Sequence, residues 1–232
     1  MKARKKEENY DKKPQMKPQI RPIFFLLACF IWAGCSTTKR IPEGQFLYTG
    51  AEVIINPDSA KKIADEKTVK TDLQSKTRPK PNKSILGIKY KLLLYNIYGK
   101  PKKSKGFKHW VSTKFGEAPV LLSEVKLKNN EAVLGSYLIS QGYLQGVVTG
   151  ETVIKGKKGK AVYTAITGQR YKLNTITFPV DTGNLTNIIG KNKEKTLLKP
   201  GSFYDLDVFK KERERIDNDL KEQGYFYFSP DF

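Results

Sequence analysis

Apolar residues recur at helical spacing ahead of a Gln-Gly-Tyr sequence, and this arrangement occurs twice in the chain. The first copy has Leu134, Tyr137 and Leu138 before Gly142 and Tyr143. The corresponding residues of the second copy are Leu206, Phe209, Ile216, Leu220, Gly224 and Tyr225. This spacing predicts an amphipathic helix, and a glycine at a helix end predicts a left-handed cap. Each copy therefore predicts a helix that stops at glycine and continues into a strand that begins at tyrosine.

The distance between the two copies predicts a repeated module. Gly142 and Gly224 lie 82 residues apart. A weaker similarity between the segments around Tyr48 and Tyr171 has an offset of 123 residues. Because this offset is larger, we expect the first module to carry an insertion, and the Pro- and Lys-rich residues 76–108 match it in position.

The alternation of apolar and β-branched residues predicts strands around these helices, and so an α+β fold. In the first module, assigned to residues 44–167, Ala51–Ile55 is predicted to be a strand. Val147–Ile154 and Ala161–Thr167 are predicted to form a hairpin across a glycine-containing turn. The module is therefore predicted to have the order β-α-α-β-β.

The second module, assigned to residues 168–232, is predicted to follow the same order and to be incomplete. A strand is expected over Tyr171–Phe178, a helix through Leu185–Ile189, a long helix before Gly224 and a strand from Tyr225. No segment remains for the last hairpin strand. We therefore expect this sequence to be the N-terminal part of a longer protein.

The insertion contains a Leu- and Tyr-rich segment, Ile88–Tyr98, between Lys- and Pro-rich flanks. The segment is predicted to form a short helix. Two interpretations are open. The helix either packs on its own domain, which is the commoner case and the one we favour, or lies with a Lys-edged apolar face on an anionic membrane surface.

The N-terminus has the pattern of a secretory signal. A polar, basic leader precedes the uncharged run Ile23–Gly34. This run is shorter than the roughly 20 apolar residues that span a bilayer, and it has the length of a signal-peptide apolar region. Residues 1–34 are therefore predicted to be a signal peptide.

The end of the apolar run, Trp32-Ala33-Gly34-Cys35, resembles a bacterial lipobox, in which lipid is attached to the cysteine. A polar tether, residues 35–43, follows directly. Cys35 is therefore the predicted lipidation site. An ordinary cleaved signal and an N-terminal anchor with an incidental cysteine are the alternatives.

The chain is strongly basic, with 43 Lys and Arg against 23 Asp and Glu and a formal charge of +20. The excess extends along the whole chain, and no ribonucleoprotein motif, zinc finger or basic zipper accompanies it. A solvated Lys-rich surface is favoured, and nucleic acid is not an expected partner. A basic protein that binds nucleic acid or anionic glycolipid is the lower-ranked alternative.

The sequence contains no recognisable catalytic or metal-binding pattern. His109 is the single histidine, and the two cysteines, Cys29 and Cys35, lie in or beside the apolar run. No nucleophile with a matching base, metal-ligand cluster or phosphate-binding loop is recognisable. Enzyme activity, cofactors and metals are therefore not expected.

The repeated module resembles the POTRA domains of the BamA/TamA outer-membrane assembly family, over about residues 44–232. A narrower resemblance is to the TamA-like lipoproteins of the Bacteroidetes (TamL). Its residues are Cys35-Ser36-Thr37-Thr38-Lys39, Pro42-Glu43-Gly44 with Leu47, Arg78-Pro79-Lys80-Pro81-Asn82, Leu94-Tyr95-Asn96 and Gly116-Glu117-Ala118-Pro119-Val120. Such proteins carry a C-terminal β-barrel, which has no counterpart in these residues.

The resemblance implies a function in binding unfolded outer-membrane clients or subunits of the assembly machinery. The implied mode is β-augmentation, in which an edge strand adds an extended client segment. In the family, the strand that follows the Gly-Tyr junction lies at the edge of the sheet. The candidate edge residues are therefore Val147, Val148, Thr149, Gly150, Glu151, Thr152, Val153 and Ile154, and the structural junction residues are Gly142, Tyr143, Gly224 and Tyr225.

The expected location is the periplasmic side of the outer membrane, with the lipid on Cys35 as anchor. A structural envelope lipoprotein without client traffic is the second hypothesis.

Overall fold

The computed structural model describes residues 37–56, 63, 65–99, 106–178 and 182–229. Within them the chain forms three β-strands and six α-helices, so the predicted α+β class is confirmed. The elements are β1 (Leu47–Asn56), α1 (Glu66–Lys76), α2 (Tyr90–Tyr98), α3 (Phe107–Lys114), α4 (Leu127–Ser140), β2 (Val147–Lys155), β3 (Lys158–Ile166), α5 (Asn184–Lys191) and α6 (Leu206–Glu222), with 3-10 turns at Leu122–Glu124 and Lys193–Lys195. In this part of the chain, no helix has both the length and the apolar character needed to cross a bilayer.

The three strands form a single mixed sheet with the order β1-β3-β2. β1 runs parallel to β3, and β2 runs antiparallel to β3. The β2–β3 hairpin turns at Gly156 and Lys157. Gly156 has a φ of 60°, which suits a two-residue hairpin turn with glycine first. The predicted hairpin is therefore present.

Helices α1 and α4 pack on one face of this sheet and enclose the core. Leu134 and Leu138 lie one turn apart on α4 and are fully buried, as their spacing predicts. Other core side chains come from α1, the sheet and the α4–β2 junction: Val69, Leu73, Tyr48, Val53, Ala161, Tyr163, Ala165 and Tyr143. The Tyr137 hydroxyl donates to Asp72 Oδ2 at 2.7 Å and joins the two helices.

The insertion is partly helical and packs on its own domain along one face. The predicted short helix is present as α2, and its residues Leu92 and Asn96 are buried. Helix α3 was not predicted, because its eight residues contain too few apolar positions to establish a helical period. The tether contacts the insertion, since Arg40 Nε donates to the carbonyl oxygen of Asn96 at 2.7 Å.

The second module does not form the predicted strands in the described residues. Over Tyr171–Phe178 only Lys172 makes a β-bridge, with Phe203. The segment from Tyr225 forms a turn in which Phe226 and Tyr227 are exposed. The first module supplies the physical reason. There, β3, the last strand of the module, is the strand that pairs with β1, and the described part of the second module has no counterpart of β3.

Candidate functional site

Strand β2 lies at an edge of the sheet and turns a regular set of backbone groups outward. Lys155 and Lys158 flank the two-residue turn, and such a pair exchanges hydrogen bonds across the hairpin. The pairing register continues without interruption from Lys155 to Val147. Because hydrogen-bonded pairs alternate in an antiparallel ladder, the outward N–H and C=O groups belong to Val148, Gly150, Thr152 and Ile154.

One of these outward N–H groups already has a partner within the chain. Gly150 N–H donates to Oε1 of Glu131, on α4, at 2.9 Å. Glu131 also accepts from Lys128 Nζ at 2.8 Å. The hydrogen bond from Lys128 is the main reason that the pKa of the Glu131 carboxyl lies below its usual value, and the hydrogen bond from Gly150 lowers this pKa as well. The carboxylate is therefore ionised at neutral pH and remains an acceptor for Gly150.

Glycine is required at position 150 because a side chain would have no room. A Cβ atom there would lie 2.8 Å from the Tyr163 ring and 3.3 Å from Glu131 Oε1. Any larger residue would push the strand away from the Tyr163 ring or from the carboxylate. The contact between Glu131 and the edge of β2 therefore depends on this glycine.

The side chains of the candidate edge differ in their surroundings. Val148 packs into the core, and Gly150 is half-buried. The other residues of the predicted set are exposed: Val147, Thr149, Glu151, Thr152, Val153 and Ile154. Thr152 and Ile154 combine an exposed side chain with outward backbone groups, so the accessible part of the edge lies near the hairpin turn.

The opposite edge of the sheet, β1, is covered by its own chain at its start. Tyr48 N–H donates to the carbonyl oxygen of Val120 at 2.9 Å, and Leu122 N–H donates to that of Phe46 at 2.8 Å. Further along, Gln74 Nε2 donates to the carbonyl oxygen of Ala51 at 2.9 Å. Of the two edges, β2 is therefore the more accessible to another strand.

The two Gln-Gly-Tyr sequences end their helices with the same hydrogen bonds. Gly142 N–H donates to the carbonyl of Ile139 and Tyr143 N–H to that of Leu138, both at 3.0 Å. In the second copy Gly224 and Tyr225 donate to the residues three and five positions earlier, at 3.0 and 3.1 Å. Gly142 has a φ of 90° and Gly224 a φ of 92°. Both are Schellman caps, in which a left-handed residue satisfies the last carbonyls of the helix.

The first copy also contacts two segments beyond β3, which its sequence does not indicate. Tyr171 N–H donates to the carbonyl oxygen of Gly142 at 2.8 Å, and Tyr204 N–H donates to that of Tyr171 at 2.9 Å. A Cβ atom on Gly142 would lie 2.7 Å from the Tyr204 carbonyl oxygen. At Gly224 a Cβ atom would have no neighbour within 4 Å in the described structure. The first cap is therefore the point at which the segments around Tyr171 and Tyr204 pack on α4.

Arg170 holds the same junction through charge and aromatic contacts. Its Nε donates to the carbonyl oxygen of Gln141 at 2.7 Å, and its Nη1 lies 2.6 Å from Asp65 Oδ2. Asp65 also accepts from the Tyr143 hydroxyl at 2.8 Å. The guanidinium lies 4.6 Å from the ring centroid of Phe203, within the range of a cation–π contact. Arg170 therefore connects the end of α4, the start of α1 and the second module.

Two buried asparagines hold together segments that are distant in the sequence. The segments joined by Asn82 are two of those on which the narrower family resemblance depends. Asn82 Nδ2 donates to the carbonyl oxygen of Ala118 at 2.7 Å, and Val120 N–H donates to Asn82 Oδ1 at 3.0 Å. The Arg78–Asn82 and Gly116–Val120 segments are thus in direct contact. On α4, Asn130 Nδ2 donates to the Tyr163 hydroxyl at 2.7 Å. Neither asparagine was singled out as a contact residue from the sequence.

The remaining predicted site residues give no further chemistry. Cys35 and the apolar run lie outside the described residues. His109 is half-buried, and its carbonyl oxygen accepts from Thr113 Oγ1 at 2.7 Å. Within the described ranges no cluster of three or more His, Cys, Asp or Glu is placed to hold a metal ion.

Comparison with known proteins gives one distant structural similarity and no family. No protein-family model matches the chain, and no curated protein matches it. Among solved structures, it is similar to the crystal structure of Haemophilus influenzae BamA POTRA3-5, with 11% sequence identity and a TM-score of 0.27 over 80% of this chain and 89% of that one. A score of this size does not establish a common overall arrangement. Four α-helices lie between β1 and β2 where the predicted β-α-α-β-β order has two, so the edge position of β2 in the β1-β3-β2 sheet is the observation on which function is argued.

Proposed function

We propose that this chain is the periplasmic binding region of a POTRA-type outer-membrane assembly or translocation factor. Its clients are extended segments of unfolded outer-membrane proteins or of assembly subunits, and it has no enzyme activity of its own. The observation that carries the proposal is the exposed edge of β2, where Thr152 and Ile154 turn their backbone groups away from β3.

The chemistry of this edge favours binding through the main chain. An added strand forms hydrogen bonds with backbone groups, which every client sequence offers, so affinity depends little on client side chains. The exposed side chains of Val153 and Ile154 supply apolar contact on either face of the added strand. A binding site for many unfolded clients requires this tolerance of sequence.

Replacing Thr152 by proline is expected to remove client binding without unfolding the domain. Proline lacks the outward N–H group, and at an edge position the β3 ladder is unaffected by its loss. Client capture is measured by photo-crosslinking from a probe at Glu151 in the assembled envelope. Thr152→Val is the matched control, because it keeps the N–H group and the β-branched shape.

We expect crosslinking to fall to background for Thr152→Pro and to stay at the original level for Thr152→Val, with unchanged circular dichroism for both. Equal crosslinking in the two variants would contradict augmentation at β2. It would favour the alternative, a structural envelope scaffold that holds partners without client traffic.

The anchor in this proposal is a lipid on Cys35, and the periplasmic side of the outer membrane is proposed because POTRA domains function there. Labelling of growing cells with radioactive palmitate is expected to mark the original protein and not Cys35→Ala, because the thiol that carries the lipid is gone. Cys29→Ala is the matched control and should remain labelled. Equal labelling of the two variants would exclude Cys35 as the lipidation site.

A further inference from the structure

An exposed apolar turn projects from the insertion. Ile85 and Ile88 exchange backbone hydrogen bonds of 3.0 and 2.9 Å across Leu86 and Gly87. The side chains of Ile85 and Ile88 are each 59% exposed, and that of Leu86 is 97% exposed. The turn therefore presents three large apolar side chains to solvent on a closed backbone. We call residues Ile85–Ile88 the apolar turn.

Leu86 occupies a backbone conformation that does not suit it. Leu86 and Gly87 both have positive φ, 48° and 79°, which is the pattern of a turn that favours Asn-Gly. A leucine in the left-handed region is strained, and this one makes no packing contact in return because it is almost fully exposed. Strain of this kind at an exposed position indicates a function for the side chain itself.

The charge of the sequence that flanks the apolar turn favours an anionic partner. Between Asp72 and Glu117 the sequence contains 12 Lys or Arg and no Asp or Glu. Lys83 precedes the turn and is exposed, and Lys91 follows it and is half-exposed. Cationic residues beside apolar side chains are the pattern of proteins that lie on anionic bilayers, where the charges contact headgroups and the apolar groups enter the interface.

The tether connects this region to the predicted anchor. Arg40 Nε and Nη2 donate to the carbonyl oxygens of Asn96 and Ile97, at 2.7 and 3.4 Å, at the end of α2. Cys35 is five residues from Arg40, which is at most about 18 Å of extended chain. A lipid on Cys35 would therefore hold the insertion close to the bilayer surface. This step rests on the proposed lipidation, whereas the apolar turn and the charge do not.

We infer that the apolar turn enters the interface of a bilayer that contains anionic phospholipid, with Lys83 and Lys91 on the headgroups. The two hydrogen bonds within the turn support this, because they leave fewer backbone polar groups to desolvate on entry. The insertion would then orient the first module on the membrane.

A single fluorophore tests the inference at the residue concerned. In the full chain with Cys29→Ser and Cys35→Ser, the variant Leu86→Cys is labelled with an environment-sensitive dye and reconstituted into vesicles that contain brominated lipid. Vesicles of phosphatidylethanolamine with phosphatidylglycerol are compared with vesicles of phosphatidylethanolamine with phosphatidylcholine. Ile139→Cys is the matched control, since Ile139 is an apolar residue of α4 that is 46% exposed.

We expect bromine quenching at position 86 in the anionic vesicles only, and none at position 139. Lys83→Gln and Lys91→Gln should each lower the equilibrium constant for entry about fivefold at low salt, whereas Lys211→Gln, at an exposed position of α6, should not. Absence of quenching at 86 would overturn the inference, and so would equal quenching at 86 and 139. A change in dye emission that rises with protein concentration and does not require brominated lipid would indicate a second copy as the partner and would overturn the inference.

The background without Cys35 separates this test from the proposed function. The fluorophore reports entry of the apolar turn whether or not the chain is lipidated, and client crosslinking at β2 is measured independently. Leu86→Asn with the dye at Ile85→Cys gives a second check, because asparagine suits the left-handed conformation and leaves the fold intact. Quenching is expected to be lost in this variant, and its persistence would show that the Leu86 side chain is not required.

Discussion

Gly142→Ala is expected to lower the free energy of unfolding by about 2–5 kcal/mol. An L-residue in the left-handed region costs roughly 1–2 kcal/mol, and Gly142 has a φ of 90°. The added methyl group would also lie 2.7 Å from the Tyr204 carbonyl oxygen, and overpacking of this kind costs about 1–3 kcal/mol. Urea unfolding followed by circular dichroism measures the change.

The repeat provides a matched control, Gly224→Ala. Gly224 has nearly the same φ, 92°, in the same cap, and its methyl group would meet nothing within 4 Å in the described structure. The free energy of unfolding of this variant should therefore fall only by the roughly 1–2 kcal/mol that the left-handed backbone conformation costs an L-residue. Equal losses at the two glycines would show that the docking of Tyr204 on Gly142 contributes nothing to stability.

Asn130→Ala is expected to lower the free energy of unfolding by about 2–5 kcal/mol. The variant leaves the Tyr163 hydroxyl, the Arg78 N–H and the Arg78 carbonyl without the partner they have now, at 2.7, 3.0 and 2.6 Å. Each buried polar group left unpaired costs about 1–3 kcal/mol. Tyr163 is fully buried, so water cannot replace the lost partner at its hydroxyl without opening the core.

Asn129→Ala is the control for this prediction. Asn129 is the preceding residue of α4 and is exposed. Alanine favours helix over asparagine by up to about 0.7 kcal/mol, and this gain is common to both variants. Asn129→Ala should therefore be neutral or slightly stabilising. A similar small effect for Asn130→Ala would contradict the assigned role of the buried hydrogen bonds. Thermal unfolding of the two variants side by side measures the difference.

Local features of the fold follow from the sequence because their causes are local. The caps at Gly142 and Gly224 depend on residues within five positions of each glycine, and the spacing of Leu134 and Leu138 determines the buried face of α4. The strand expected over Tyr171–Phe178 depends instead on a partner from the end of its module. No periodicity within the strand itself indicates whether that partner is present, and this prediction was wrong for the described residues.

The candidate site shows the same division between local and distant causes. The β-branched content of Val147–Ile154 predicts a strand, and the resemblance to POTRA domains implies that it lies at an edge. The bond from Gly150 to Glu131 joins residues 19 positions apart, and that from Arg170 to Asp65 joins residues 105 positions apart. Single Glu, Asp and Arg residues are common in a chain with 66 charged positions, so nothing in the sequence distinguishes the ones that meet.

If β2 binds clients as proposed, the hydrogen bond between Glu131 and Gly150 affects how long a client stays bound. While it persists, a client strand can use the backbone groups of Thr152 and Ile154, near the hairpin turn, but not the Gly150 N–H. Two residues provide few main-chain hydrogen bonds, each worth about 0.5–1.5 kcal/mol net, and affinity differences of this size appear chiefly in the dissociation rate. A client held by so few hydrogen bonds would dissociate quickly. Displacement of the Glu131 carboxylate would free the Gly150 N–H, lengthen the accessible edge and lower the dissociation rate of the client.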